Sequence, residues 1–374
     1  IPEARNIAQL ASIIGREFSF DLLLMLTGME ESNLSNLLNK LIDSEILVLN
    51  TNLESEERTY LFRHALIQDS AYSSLLKSTR KDFHILIAET LEKRSDGILE
   101  KQPEILAWHY KKGYDSLRSI QYWIKAGLLA TQKSANIEAI SHFREGLKLI
   151  QFVSDPMQKS GLELQLLSAM GPGLIATRGF ADKEVGEVYL RAKEISEKIG
   201  IGPQIFIPIW GQWVYNLVRG NLDESENLAR EMKRMGEETK DSSMMVEAFW
   251  TLGDTLYWQG EFNAALKNLD GAIDIYDPKK HHLQAHIYGQ DPGVAAHCYK
   301  TYCLWQIGKP EQAQKEVEKA EALAVKLRHP FSIGWAKAFS FSLSMYNEDY
   351  ESNIVKSMDA ISYCQEQAYP FWLF

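Results

Sequence analysis

The sequence predicts an all-α protein: a solenoid of antiparallel helix pairs preceded by a small helical module that carries one β-hairpin. Three observations predict it. Apolar residues recur at three- and four-residue spacing almost throughout, and glycine and proline are sparse between residues 60 and 170. Small residues return with a long period between residues 120 and 370. Strand character is confined to one stretch near residues 46–62.

A chain of 374 residues suggests two or three modules. Its 45% hydrophobic and 24% charged residues are ordinary for a folded protein and exclude disorder or a collagen-like chain. Ile7 to Ile14, Phe20 to Leu26 and Leu34 to Ile42 read as helices. Ser19 or Asp21 is suited to cap the second, and Ser32 or Asn33 the third. Ile46 to Leu49 and Tyr60 to Phe62 flank a polar, acidic turn, Asn50 to Arg58, and predict a short hairpin. Three helices followed by a two-stranded wing is the order of a winged-helix domain, assigned to residues 1–76. Helices are expected from Phe62 to Leu76, from Lys81 to Lys93 and from Pro103 to Lys112. Residues 77–118 then link this module to the repeats at 119–374.

Forty basic against fifty acidic side chains give a net charge of -10, which argues against a nucleic-acid surface. The winged helix itself is acidic. Its third helix sets Glu30, Glu31 and Asp43 against Lys40, and its wing sets Glu54, Glu56 and Glu57 against Arg58, so this face repels phosphate. A packing role inside a larger protein is expected instead. No apolar run is long enough to cross a bilayer and no signal peptide opens the chain. Cys298, Cys303 and Cys364 include no CxxC pair, so neither a disulfide framework nor a zinc knuckle is written, and a reducing, cytoplasmic compartment is expected. The chain opens at Ile1-Pro2 and closes on the apolar Tyr369 to Phe374, which reads as a piece of something longer.

The repeat is clearest from Phe249 to Pro278. Counting Phe249 as position 4, Leu252-Gly253 fall at 7 and 8, Leu256 at 11, Gly260 at 15, Phe262 at 17, Ala265 at 20, Leu269 at 24 and Ala272 at 27. This is close to tetratricopeptide (TPR) spacing. Small residues at 8 and 20 let two helices approach, large ones fill the seam, and glycine at 15 turns the chain. The same ruler fits Trp123, Gly127, Ala139 and Phe143; Gly173, Val185 and Tyr189; Gly220, Ser225 and Ala229; Leu304, Gly308 and Ala313; and a degenerate unit from Phe331 to Gln367. Successive position-20 residues lie 40 to 48 residues apart, so insertions lengthen particular joints. His329-Pro330-Phe331 returns as Tyr369-Pro370-Phe371, where a further helix is expected to open.

In a TPR pair, positions 2, 5, 9, 12 and 13 of the first helix face the concave side. They hold Trp210 and Leu217 in the third unit, Glu247, Trp250, Asp254, Tyr257 and Trp258 in the fourth, and Cys298, Tyr302 and Trp305 in the fifth. Such rings either line a groove that anchors a peptide or helix, or pack on one another as the core of a tight coil. The joint before the fifth unit carries a surplus insert with His286, Tyr288, Gln290 and Asp291. Asp291 before Pro292 is suited to cap a helix. Alternatively, the insert folds over the groove and sets His286, Tyr288 and Gln290 beside Trp250, Tyr257 and Trp305. His281, His282 and His286 put two imidazoles on one helical face, but no third ligand completes a zinc site, so no metal is expected. Glu54-Ser55-Glu56-Glu57 reads as a solvated loop, and Asp69 near Arg63-His64 as a helix-start ion pair. No GxSxG elbow or other triad can be assembled.

Gly15-Arg16-Glu17-Phe18, Arg63-His64-Ala65-Leu66-Ile67-Gln68-Asp69-Ser70-Ala71-Tyr72, Ala176-Thr177-Arg178-Gly179-Phe180, Leu217-Val218-Arg219-Gly220 and Tyr288-Gly289-Gln290-Asp291-Pro292-Gly293-Val294 resemble one family together. It comprises large bacterial signal-transduction ATPases with numerous domains, many with a class III adenylate/guanylate cyclase domain in front and TPRs behind. The resemblance spans nearly the whole chain. It implies a winged helix packed on an upstream ATPase core, and repeats that bind a protein, a peptide, a small ligand or the protein's own upstream domains. It also implies that ATP and Mg belong to those upstream domains, since the chain has no GxxxxGK[ST] phosphate loop and Gly308-Lys309-Pro310 is a turn between helices. No cofactor and no catalysis are expected of the chain itself. A second reading is a transcription regulator of the maltose-activator type, whose DNA-binding domain would lie beyond Phe374.

Overall fold

Alternation and capping in the first sixty residues produce a small mixed module in the computed structural model, which describes residues 2–50, 58–93, 101–200 and 205–369. Its elements are α1 (Pro2–Ile14), β1 (Glu17–Ser19), α2 (Phe20–Thr27), α3 (Glu31–Asp43), β2 (Leu47–Asn50) and β3 (Thr59–Phe62). The strands form one antiparallel sheet in the order β1-β3-β2, with Leu47 opposite Phe62 and Phe18 opposite Tyr60. Period-two alternation sends Tyr60 and Phe62 inward, where Ile7, Leu23, Leu34 and Leu38 are also buried. Ser19 caps α2 as predicted, accepting from the Leu22 N–H at 3.3 Å. Ser32 and Asn33 do not cap α3, because the helix starts at Glu31 and they lie inside its first turn. β1 escaped the sequence reading: three residues are too few to show a period, and pairing with β3 is what makes them a strand. The wing residues Glu54, Glu56 and Glu57 lie outside the described residues. Arg58 at its base is held by Glu31 at 2.6 Å and covers the Phe20 ring at 3.9 Å.

Three helices follow: α4 (Ala65–Ser73), α5 (Lys77–Lys93) and α6 (Pro103–Lys112). α4 starts later than predicted because the Arg63 N–H still donates to the Ile46 carbonyl and prolongs the β pairing. α5 and α6 bury His84 and His109 with their Nδ1 atoms 3.0 Å apart. Burial holds both rings neutral, lowering them to about 4 and about 3.

By contact density the chain divides into two units, residues 1–126 with 148–153 and residues 127–147 with 154–374. α7 (Ser116–Gln132) runs from the first into the second. The second unit continues with α8 (Asn136–Leu149), α9 (Pro156–Arg178), α10 (Lys183–Ile199), α11 (Phe206–Val218), α12 (Leu222–Thr239), α13 (Ser242–Trp258) and α14 (Phe262–Ile275). After the insert helices α15 (Pro278–His281) and α16 (Gln284–Tyr288) come α17 (Pro292–Gln306), α18 (Pro310–Leu327), α19 (Pro330–Tyr346) and α20 (Tyr350–Glu366). Each predicted repeat is thus one helix pair. The helix expected to open at Pro370 lies outside the described residues.

Packing follows the ruler. A Cβ on Gly253 (position 8) would sit 2.7 Å from Leu269 Cγ (position 24), and one on Gly127 2.3 Å from the Phe143 ring, at the same two positions. Gly220, Gly260 and Gly308 turn the chain between helices with φ of +79°, +82° and +77°. The equivalent turns after α7 and α19 use Ser134 and Glu348 at φ +56° and +55°. Within this unit the pairs coil until early repeats meet late ones. Phe180, at the α9–α10 corner, meets the Phe331 and Trp335 rings of α19 at 6.2 and 6.0 Å.

Candidate functional site

Coiling in the second unit leaves a hollow of about 660 Å³ between α11, α13, α17, α19 and the α9–α10 corner. Trp213 and Leu217 of α11 line it, with Trp250, Asp254 and Trp258 of α13, Tyr299 and Tyr302 of α17, Trp335, Phe339 and Tyr346 of α19, and Phe180. Trp213 meets Trp250 edge to face at 5.1 Å, and Tyr302 stacks on Phe339 at 4.3 Å. Trp258 is 55% exposed and forms part of the rim.

Asp254 is 2% exposed, and its Oδ1 accepts no hydrogen bond. Burial holds its carboxyl well above the usual carboxylate range, although the Tyr299 hydroxyl and the Trp258 indole N–H approach it and favour the charged form. Among the lining residues there is no lysine, arginine or histidine. A hollow walled by aromatic rings and holding one acid offers apolar, polarisable surface and a latent negative charge.

Of the predicted groove residues, the hollow gathers Leu217, Trp250, Asp254, Trp258 and Tyr302. Trp210 and Glu247 belong instead to the core beneath it, both fully buried. Trp250 joins the two layers: its ring lines the hollow while its Nε1 donates to Glu247 Oε2 at 2.5 Å. Burial, with a smaller contribution from Asp291, holds the Glu247 carboxyl well above its usual range, and Trp250 opposes them. Tyr257 is buried among Phe262, Tyr299 and Tyr302, Cys298 is fully buried, and Trp305 donates to Asn347 Oδ1 at 3.0 Å beside Tyr346. None of these three is among the lining residues. The sequence reading missed Trp213, Tyr299, Trp335 and Phe339. Trp213 stands at position 8 of its repeat and Tyr299 at position 6, which the concave-face rule omits. Trp335 was within reach of the rule, had the sixth unit been placed on the ruler.

The insert packs inward rather than over Tyr257 and Trp305. Tyr288 meets the Trp210 and Phe206 rings at 5.1 and 6.4 Å, and a Cβ on Gly289 would lie 3.6 Å from Pro172 in α9. Asp291 caps α17, as predicted, by accepting from the Val294 N–H at 3.0 Å, and its other oxygen accepts from the Tyr276 hydroxyl at 2.7 Å. Burial nevertheless raises it to about 6. Gln290 is 1% exposed and neither its amide nitrogen nor its amide oxygen has a hydrogen-bond partner. His286 faces His329 at 5.4 Å, while His281 accepts from the Asp277 backbone N–H at 2.9 Å. Among the described residues no three metal-ligating side chains converge. Nor is any helix among them long and apolar enough to cross a membrane.

No protein-family model matches the chain. An uncharacterised protein of Rhizobium meliloti (strain 1021) is 24% identical over 353 residues, which cover 93% of this chain and 34% of that protein. The chain therefore spans about a third of the length of the curated relative it matches. Among solved structures, the Rap conjugation gene regulator of plasmid pLS20, in complex with its Phr peptide, matches 78% of this chain and 80% of its own at 12% identity and TM-score 0.54. Aspartyl phosphate phosphatase F from Bacillus subtilis matches 97% and 90% at 15% identity and TM-score 0.50. A signal-transduction ATPase with numerous domains and a tetratricopeptide repeat sensor, from Pyrococcus horikoshii, matches 99% and 58% at 12% identity and a TM-score of 0.45. At such identities the likeness bears on the fold: the helical pairs are of tetratricopeptide type.

Proposed function

We propose that this chain is the regulatory, partner-binding segment of a multidomain signal-transduction ATPase coupled to a nucleotide cyclase, and that it performs no catalysis itself. The observation that carries the binding role is the aromatic hollow. Side chains from α11, α13, α17 and α19 converge on a concave space that their own packing does not fill. Rigid rings around a recess are what anchors a peptide or helix. The peptide seated on the pLS20 regulator makes a peptide occupant reasonable for a fold of this type. The multidomain setting rests on the motif resemblance and is consistent with a relative about three times as long, of which this chain matches 34%. The non-catalytic role rests on the absence of a phosphate-loop motif from the sequence. The phosphatase activity named for the Bacillus subtilis protein is that protein's own. The opening module is assigned as a winged helix that packs within the full protein. Acidic α3 and the engagement of Arg58 by Glu31 support that role over a grip on DNA.

Selecting a random peptide display library on the immobilised chain tests the reading, with ATP turnover measured in parallel. Expected are an enriched consensus that Tyr302→Ala and Trp258→Ala erase, and no ATP hydrolysis or cyclisation above a buffer blank. A consensus indifferent to both substitutions would remove the hollow from the account, and turnover surviving rigorous purification would end the non-catalytic assignment.

A further inference from the structure

The Tyr299 hydroxyl and the Trp258 indole N–H approach the acid in the hollow, but they leave its carboxyl incompletely satisfied. A buried carboxyl is stabilising when its oxygens are satisfied, and Asp254 leaves Oδ1 without a partner at 2% exposure. It pairs with no cation, since no basic side chain lines the hollow. An apolar residue at this point would avoid the cost of burying an unsatisfied polar group. The surrounding chemistry is equally specific: Trp213, Trp250, Trp335 and Tyr299 present aromatic surface to the same space. Ring faces are the electronegative side of an aromatic, and they attract a cation once it is desolvated.

Resting on the peptide-binding reading above, we propose that the hollow is a cation-anchor subsite, which takes a lysine or arginine side chain of the partner peptide, its charge on the Asp254 carboxyl and its methylene stem along the aromatic walls. The complementarity is one of charge and of shape. A long basic side chain carries an apolar stem and a cationic head, and the hollow carries apolar walls and one acid. Its volume of about 660 Å³ exceeds a single side chain, so flanking apolar residues of the peptide enter with it. A chain of net charge -10 also draws in a basic segment from a distance.

Binding has a proton signature. Empty, the hollow keeps Asp254 protonated; the groups facing it are Tyr257 and Trp258 of its own helix and Tyr299 and Cys303 of α17, none of them cationic. A bound ammonium or guanidinium favours the carboxylate, so the carboxyl proton leaves to solvent as the ion pair forms. Affinity therefore rises with pH across the range in which the empty site holds its proton.

The peptide selected on the chain is then synthesised in two forms, one with its basic residue and one with norleucine in its place, and titrated calorimetrically in two buffers of different ionisation enthalpy. The parent chain is expected to prefer the basic form by about 10- to 100-fold, as for a hydrogen bond to a charged group, and to release a proton on binding. Asp254→Asn is expected to lose that preference and the proton release while still binding the norleucine form. Circular dichroism of the variant, which should match the parent, separates this loss from misfolding. A selection without a hollow-dependent consensus overturns both this inference and the proposed function. A consensus that lacks a basic residue, or equal affinity of the two peptides for the parent chain, overturns the cation anchor alone.

Discussion

Two carboxyls held neutral in the folded chain make its stability depend on pH in a direction opposite to that of most proteins. Unfolded, Glu247 and Asp254 release their protons near pH 4. Folded, burial keeps them protonated well above that. Over the interval between, the native state binds more protons than the unfolded one, so stability falls as pH rises until the folded groups ionise. Below pH 6.5 histidine offsets the trend. Burial lowers His84 to about 4 and both His109 and His329 to about 3, so there the unfolded chain binds protons that the folded chain refuses, and stability rises with pH. Above the ordinary histidine range that compensation is gone, and Asp291, raised to about 6, has largely ionised in both states. Glu247 and Asp254 then act alone, each contributing a slope of up to ~1.4 kcal/mol per pH unit, together ~2.7. Urea unfolding followed by far-UV circular dichroism at pH 6.5, 7.0 and 7.5 measures it. The parent chain should lose stability with rising pH over this range. A Glu247→Gln/Asp254→Asn double variant should be nearly flat and, at pH 7.5, more stable than the parent. A parent without slope, or a double variant that parallels it, would refute the claim that the second unit keeps these acids protonated.

Three further outcomes probe the packing. Gly253→Ala should cost ~1–3 kcal/mol in urea midpoint analysis, because the new methyl group would sit 2.7 Å from Leu269 Cγ and neither helix can move without disturbing the next pair; no loss would mean that the α13–α14 seam is loose. Asp291→Ala should cost ~2 kcal/mol by removing the α17 cap and the Tyr276 partner together. Gln290→Leu should be neutral or stabilising, since neither amide atom has a partner to lose. A large loss from Gln290→Leu would show that the amide is satisfied by bound water or ligand.

The sequence by itself determined the local layers of this protein. Helix pairs, their glycine turns at Gly220, Gly260 and Gly308, the seam of Gly253 with Leu269 and the cap at Asp291 all follow from contacts a few residues, or one helix hairpin, apart. Such contacts leave a period that can be counted. Where the same geometry was met without the usual residue, as at the left-handed Ser134 and Glu348, the signal was missing although the turn was not. What only the tertiary structure decided is which concave-face residues see space and which see core. Trp210 and Trp250 share position 5 of their repeats, yet Trp210 is sealed under Tyr288 of the insert while Trp250 walls the hollow. That difference arises because small rotations between successive pairs accumulate until Phe180 reaches Trp335, more than 150 residues away. Repeat spacing specifies each pair against its neighbour, but the summed twist, and the insert that fills part of the coil, place Asp254 in the wall of the hollow with one carboxyl oxygen left without a partner.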